Sequence, residues 1–129
     1  MTPLSCIIID DEIQAAELLT DLIESIFPQN LRIEAVCKSW LEAGEHLRKK
    51  EYDIVFLDIS IQGRSGLDLI KVVPSIKNRV IFITAYSEFA LEAFRQFAAG
   101  YIVKPFEEFE LAGVVNNFID RTKGQGSPV

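Results

Sequence analysis

Five apolar runs punctuate the chain, and each is followed by a stretch whose apolar residues recur at helical spacing. The first run, Leu4 to Ile9, ends in Asp10-Asp11-Glu12. After it Ala15, Leu18, Leu19, Leu22, Ile23 and Ile26 fall at steps of three and four, opposite Glu17, Thr20, Asp21 and Glu24. Pro28-Gln29-Asn30 breaks that helix, and Leu31 to Cys37 alternates as a half-buried strand does. Ser39 with Glu42 predicts a capping box opening a helix over Trp40, Ala43, Gly44 and Leu47 that closes in Arg48-Lys49-Lys50. Ile54 to Leu57 reads as a strand buried on both faces, ended by Asp58. A polar loop with Gly63 leads to a short helix from about Gly66 to Val73, stopped by Pro74. Arg79 to Thr84 is the fourth strand. Ser87 is the expected N-cap of the next helix, traced by Ala90, Ala93, Phe94 and Phe97. Tyr101 to Val103 runs into Lys104-Pro105, and a last helix carries Leu111, Val114, Val115, Phe118 and Ile119 behind an acidic first turn.

Strands alternating with helices predict an α/β domain: one parallel sheet with helices on both faces. Right-handed crossovers allow the flavodoxin-like strand order 2-1-3-4-5, with strands 1 and 3 adjacent at the switch point. The 129 residues suffice for one domain, expected over 1–122, with a linker-like tail over 123–129. No apolar run approaches the roughly 20 residues of a membrane helix, and the start lacks a signal-peptide pattern, so a cytoplasmic, membrane-free protein is expected. Cys6 and Cys37 lie in apolar runs without metal spacing and read as reduced buried thiols. The net charge of −6 argues against direct nucleic-acid contact by this domain.

The chemistry lies in how the strands end. Taken alone, Asp58 reads equally well as a turn residue capping the next helix. Strand 1, however, ends in Asp10 and Asp11, strand 4 in Thr84 and strand 5 in Lys104. The proposed order gathers all of them at one sheet edge, where open α/β sheets place their ligands. Three carboxylates in one place repel one another unless a cation sits among them, and an oxygen-only set suits Mg²⁺. A carboxylate nucleophile, a metal, a hydroxyl and an ammonium are what phosphoryl transfer to aspartate requires.

The segments IIIDDE (7–12), FLDI (56–59) with Gly66, FITAY (82–86) and YIVKPF (101–106) resemble the receiver domain of two-component response regulators, the CheY fold. The stretch 84–94 is most similar to receivers that precede LytTR-type DNA-binding domains. The resemblance implies that Asp58 is the phosphoacceptor for a sensor histidine kinase and that Asp10 and Asp11 hold Mg²⁺. It places the backbone carbonyl of Ser60 on the metal as well. Thr84 and Tyr101 then form the switch pair, Ala85 leaves the site open, and Lys104 precedes a cis proline. It implies a signalling domain that assists its own phosphorylation and dephosphorylation, not an enzyme with an external substrate. Two positions depart from the family pattern: Gln62 stands where proline is usual, and Gly100 where an acidic residue is usual.

The rival readings are a stand-alone single-domain regulator and a Mg²⁺-dependent aspartyl-phosphate hydrolase. The hydrolase would carry its nucleophile on strand 1 and need a cap domain for which the chain has no room. A flavin-binding module would need a phosphate-cradling loop after strand 1, where Asp-Asp-Glu stands instead. Eight of the thirteen aromatic residues fall between Phe82 and Phe109. Core packing accounts for Phe82 and suits Phe94 and Phe97, but suits Tyr86 and Phe89 less well. Hence the face of helix 4, strand 5 and helix 5 is the expected contact of a phosphorylation-favoured homodimer or of a partner.

Overall fold

The computed structural model describes residues 2–124. Its centre is a five-stranded sheet, all parallel, of β1 (Leu4–Ile9), β2 (Leu31–Cys37), β3 (Ile54–Leu57), β4 (Val80–Thr84) and β5 (Gly100–Val103). The order is β2-β1-β3-β4-β5, the expected flavodoxin-like order. Partners run across it in register: Ile8 faces Phe56, and Phe56 faces Ile81. The four residues of β3 are at most 1% exposed, which is why this run shows no polar alternation.

The helices are α1 (Ile13–Ile26), α2 (Trp40–Lys49), α3 (Gly66–Val72), α4 (Ala90–Arg95) and α5 (Glu108–Gly124). Successive strand side chains point to opposite faces, so the sheet feeds two cores. On one face Ile7, Ile9, Val55, Leu57, Val80 and Phe82 pack with α2, α3 and Ala93 of α4. On the other, Cys6, Ile8, Ile54, Phe56, Ile81 and Ile83 pack with α1 and α5. Each buried Ile, Leu or Phe contributes about 1.5–3 kcal/mol by leaving water. Both cysteines are free and buried in these layers, as expected.

Several local expectations shift. In β2 the partner of Cys6 is Ile33 but that of Ile7 is Ala35, so Glu34 is an extra residue and the simple alternation fails there. In α1 the buried residues are Ala16, Leu19 and Ile23, while Leu18 is 56% exposed although it fits the spacing. The capping box forms one residue out: Ser39 Oγ accepts from Glu42 N–H at 3.1 Å, and Glu42 Oε1 accepts from Lys38 N–H at 2.9 Å.

The fourth helix differs most. Ser87 makes no capping bond and opens a 3₁₀ turn, Ser87–Phe89, before the six residues of α4. So short a helix turns only small Ala93 inward. Phe94 and Phe97 are therefore 52% and 54% exposed, not core residues as their spacing predicts, and Phe97 adopts a left-handed φ of 67°. Tyr86 and Phe89 are also exposed, as expected. Helix α5 includes Lys123 and Gly124, the first two residues of the expected tail; 125–129 lie outside the described residues. Among the described residues no helix is long and apolar enough to cross a membrane.

Candidate functional site

Parallel strands in register end together, and here the ladder extends one residue past each strand. Asp10 N–H donates to the Cys37 carbonyl at 3.0 Å, Asp58 N–H to Ile9 at 3.1 Å, and Lys104 N–H to Thr84 at 2.8 Å. Backbone pairing thus brings Asp10, Asp58, Thr84 and Lys104, which lie far apart in sequence, to one edge. Lys104 Nζ lies 2.7 Å from Asp10 Oδ2 and 3.0 Å from Asp58 Oδ2, and the Lys104-Pro105 peptide is cis. The second oxygen of each acid is held locally: Glu12 N–H donates to Asp10 Oδ1 at 2.9 Å, and Ser60 N–H to Asp58 Oδ1 at 3.2 Å.

Both aspartates are 6% exposed. Burial pushes the Asp10 carboxyl above its ordinary range, while the Lys104 ammonium and the Glu12 N–H pull it back down. For Lys104 burial works against the charge, yet its bonds to Asp10 and Asp58 outweigh this and raise its pKa. The same pair is thus dominated by burial on the acid side and by partnership on the lysine side. Thr84 is fully buried, and its Oγ1 accepts from Tyr86 N–H at 3.4 Å. Tyr101 is half-buried; its hydroxyl donates to the Tyr86 carbonyl, and its ring lies 5.9 Å from Phe82 and 6.5 Å from Phe94. Ala85 is exposed.

One acid is placed unexpectedly. Among the described residues, the carboxylates of Asp10, Glu12 and Asp58 form a group of three whose oxygens lie within 4.8 Å of one another. Glu12 is exposed at the start of α1, as expected, but its side chain reaches back to the edge. Asp11 is exposed and instead accepts from the Gln62 N–H at 2.8 Å. Both offer a carboxylate, and the path of the chain into α1 decides which one meets the edge. Three carboxylates against one ammonium leave two uncompensated negative charges, and all the donors are oxygens, so the residues fit a hard divalent cation such as Mg²⁺.

A doubly wound α/β domain with its chemistry concentrated at the carboxyl edge is the class these observations define. Residues 6–116 match the family described as the response regulator receiver domain. The chain belongs to that family, whose members are phosphorylated by histidine kinases in two-component signalling. It is similar to the sensory transduction protein LytT of Enterococcus faecalis, 37% identical over 95% of this chain and 50% of that protein. LytT of Bacillus anthracis is 33% identical over the same shares. Among solved structures, the response regulatory domain of protein mrkE from Klebsiella pneumoniae superposes with a TM-score of 0.84 at 28% identity, covering 94% of this chain and 99% of that one. The chain spans about half the length of the curated relatives it matches. It is a receiver domain similar to the part of LytT that it matches.

Proposed function

We propose that Asp58 accepts a phosphoryl group from a sensor histidine kinase, with Mg²⁺ held by Asp10, Asp11, Asp58 and the Ser60 carbonyl. The observation that carries this reading is the buried Asp58 carboxylate at the end of the central strand, fixed between Lys104 Nζ and Ser60 N–H. An Asp58 oxygen attacks phosphorus, the P–N bond of the phosphohistidine breaks, and the ring nitrogen leaves with the electron pair. Mg²⁺, when bound, neutralises charge on the phosphoryl oxygens. Lys104 offers its ammonium to the same oxygens, and the Thr84 hydroxyl donates to one of them after leaving Tyr86 N–H. The chain in this way assists its own phosphorylation and dephosphorylation.

Drawing Thr84 toward phosphate opens space beside the Tyr101 ring, which is tied to the Tyr86 carbonyl. Turning that ring inward changes the face formed by α4, β5 and α5. Leu91, Phe94 and Phe97 are each more than half exposed there, which supports a phosphorylation-favoured homodimer through this face. Output through a LytTR-type domain outside this chain, in the cytoplasm and without nucleic-acid contact by the receiver itself, fits its LytT-like character.

The test is labelling with acetyl phosphate or beryllofluoride, with and without Mg²⁺, followed by mapping of the adduct. Asp58 alone should be modified, and only with Mg²⁺. An Asp58→Asn protein labelled to the wild-type level refutes the assignment. Sedimentation of wild type and Tyr101→Ala, each with beryllofluoride, tests the dimer. An activated wild type that stays monomeric overturns that part.

A further inference from the structure

The loop after Asp58 is folded into a small hairpin. Ser60 pairs with Ser65 and Ile61 with Arg64, leaving Gln62 and Gly63 as a two-residue turn. Both turn residues have positive φ, 52° and 80°, as a type I′ turn requires. Three contacts hold this hairpin. Ile61 is fully buried in the core beneath α2 and α3. The Arg64 guanidinium lies 5.4 Å over the Trp40 ring at the start of α2. The Gln62 N–H, in the turn and outside the hairpin ladder, donates to Asp11 Oδ2 at 2.8 Å.

That last bond decides where Asp11 is. Its carboxylate is turned onto the hairpin, outside the Asp10, Glu12 and Asp58 cluster. Metal ligation requires oxygens at about 2.0–2.1 Å from Mg²⁺. Asp11 Oδ2 is engaged by the turn N–H and Asp11 is not a member of the cluster, so a cation that draws this carboxylate inward pulls against the hairpin bond.

We propose that the Gln62 backbone N–H is a latch on Asp11, and that a divalent cation entering the acidic cluster draws Asp11 away and frees the tip of the 60–65 hairpin. Gln62 is thereby a positioning residue for metal binding, acting through its main chain. The turn runs directly into Arg64, whose guanidinium lies over Trp40, so metal occupancy is passed to Trp40 and α2. The inference rests on the reading that Asp11 is a metal ligand.

Amide exchange of Gln62, measured by NMR on the full chain with Mg²⁺ as the probe, tests it. A charge-assisted hydrogen bond should slow this exchange about tenfold or more in metal-free wild type relative to Asp11→Ala. Saturating Mg²⁺ should bring the wild-type rate to that of Asp11→Ala, and Trp40 emission should change with the same midpoint. Mg²⁺ that shifts the Asp10 and Asp58 resonances while Gln62 stays protected overturns the latch and leaves the metal site standing. Equal exchange in metal-free wild type and Asp11→Ala also overturns it. Flat Trp40 emission through a titration that releases Gln62 refutes the transfer to α2. No response of Asp10 or Asp58 at tens of millimolar Mg²⁺ refutes the metal reading and the latch with it.

Discussion

Gly66 is where the fold and the site meet most closely, and Gly66→Ala separates two opposing effects. Gly66 opens α3, and in a helix alanine is favoured over glycine by up to about 1 kcal/mol. Helix propensity alone therefore predicts stabilisation. A Cβ on Gly66, however, would lie 2.2 Å from the carbonyl oxygen of Asp58 and 3.2 Å from Leu57 Cγ. Relief requires the α3 start and the Asp58 backbone to part by about 1 Å, because a carbonyl cannot rotate aside as a side chain does. The Gly66 N–H also donates to the Ile59 carbonyl, so the two segments cannot separate without straining that bond. The clash should outweigh the propensity gain and leave a net loss of about 3 kcal/mol. For a chain of this length that corresponds to about 11 °C in Tm. Urea unfolding and thermal melts of the metal-free protein measure it, and beryllofluoride labelling should fall as Asp58 is displaced. Two other glycines calibrate the result. At Gly100 a Cβ meets the Val114 side chain at 2.6 Å, which can move, so alanine there should cost about 1 kcal/mol. At Gly63 no atom lies within 4 Å, and alanine pays only for its φ of +80°, again about 1 kcal/mol. A Gly66→Ala protein as stable as wild type, or less affected than Gly100→Ala, would falsify the close-approach reasoning.

Two further outcomes follow from buried groups. Burial pushes the Cys6 and Cys37 thiols up to about 12 from 9.0, with the charges of Asp53 and Glu42 adding to it respectively. The native state therefore keeps two protons that the unfolded chain releases near pH 9, so this stability is present below about pH 9 and is lost as pH rises toward 12. Denaturation midpoints between pH 7 and 10.5 should fall at the alkaline end, more in wild type than in a Cys6→Ala, Cys37→Ala double variant; parallel profiles would contradict it. Lys104→Met leaves the buried Asp10 and Asp58 without their shared cation and should cost about 3 kcal/mol. Millimolar Mg²⁺ should restore part of that loss in urea melts, and a variant as stable as wild type without Mg²⁺ would refute the pairing.

The strands are carried by local sequence, because a buried parallel strand must be apolar on both sides and this shows as a continuous run. Ile54 to Leu57 and Val80 to Thr84 are such runs, and the residues that end them are read directly as the edge residues of the sheet. Periodicity fails where burial depends on neighbours distant in sequence. Leu18, Phe94 and Phe97 fit an apolar stripe, yet α1 is rolled toward Ala16 and Leu19, and α4 is too short to turn more than Ala93 inward. The site divides the same way. That acids and a lysine gather at one edge follows from strand order, but Asp10, Asp11 and Glu12 all offer a carboxylate. Which of them meets Asp58 depends on where the chain bends into α1, and Asp11 is claimed by a turn N–H supplied 51 residues later. Hydrogen-bond partners between distant segments leave no local period in the chain, so the assignment of each carboxylate belongs to the tertiary structure alone.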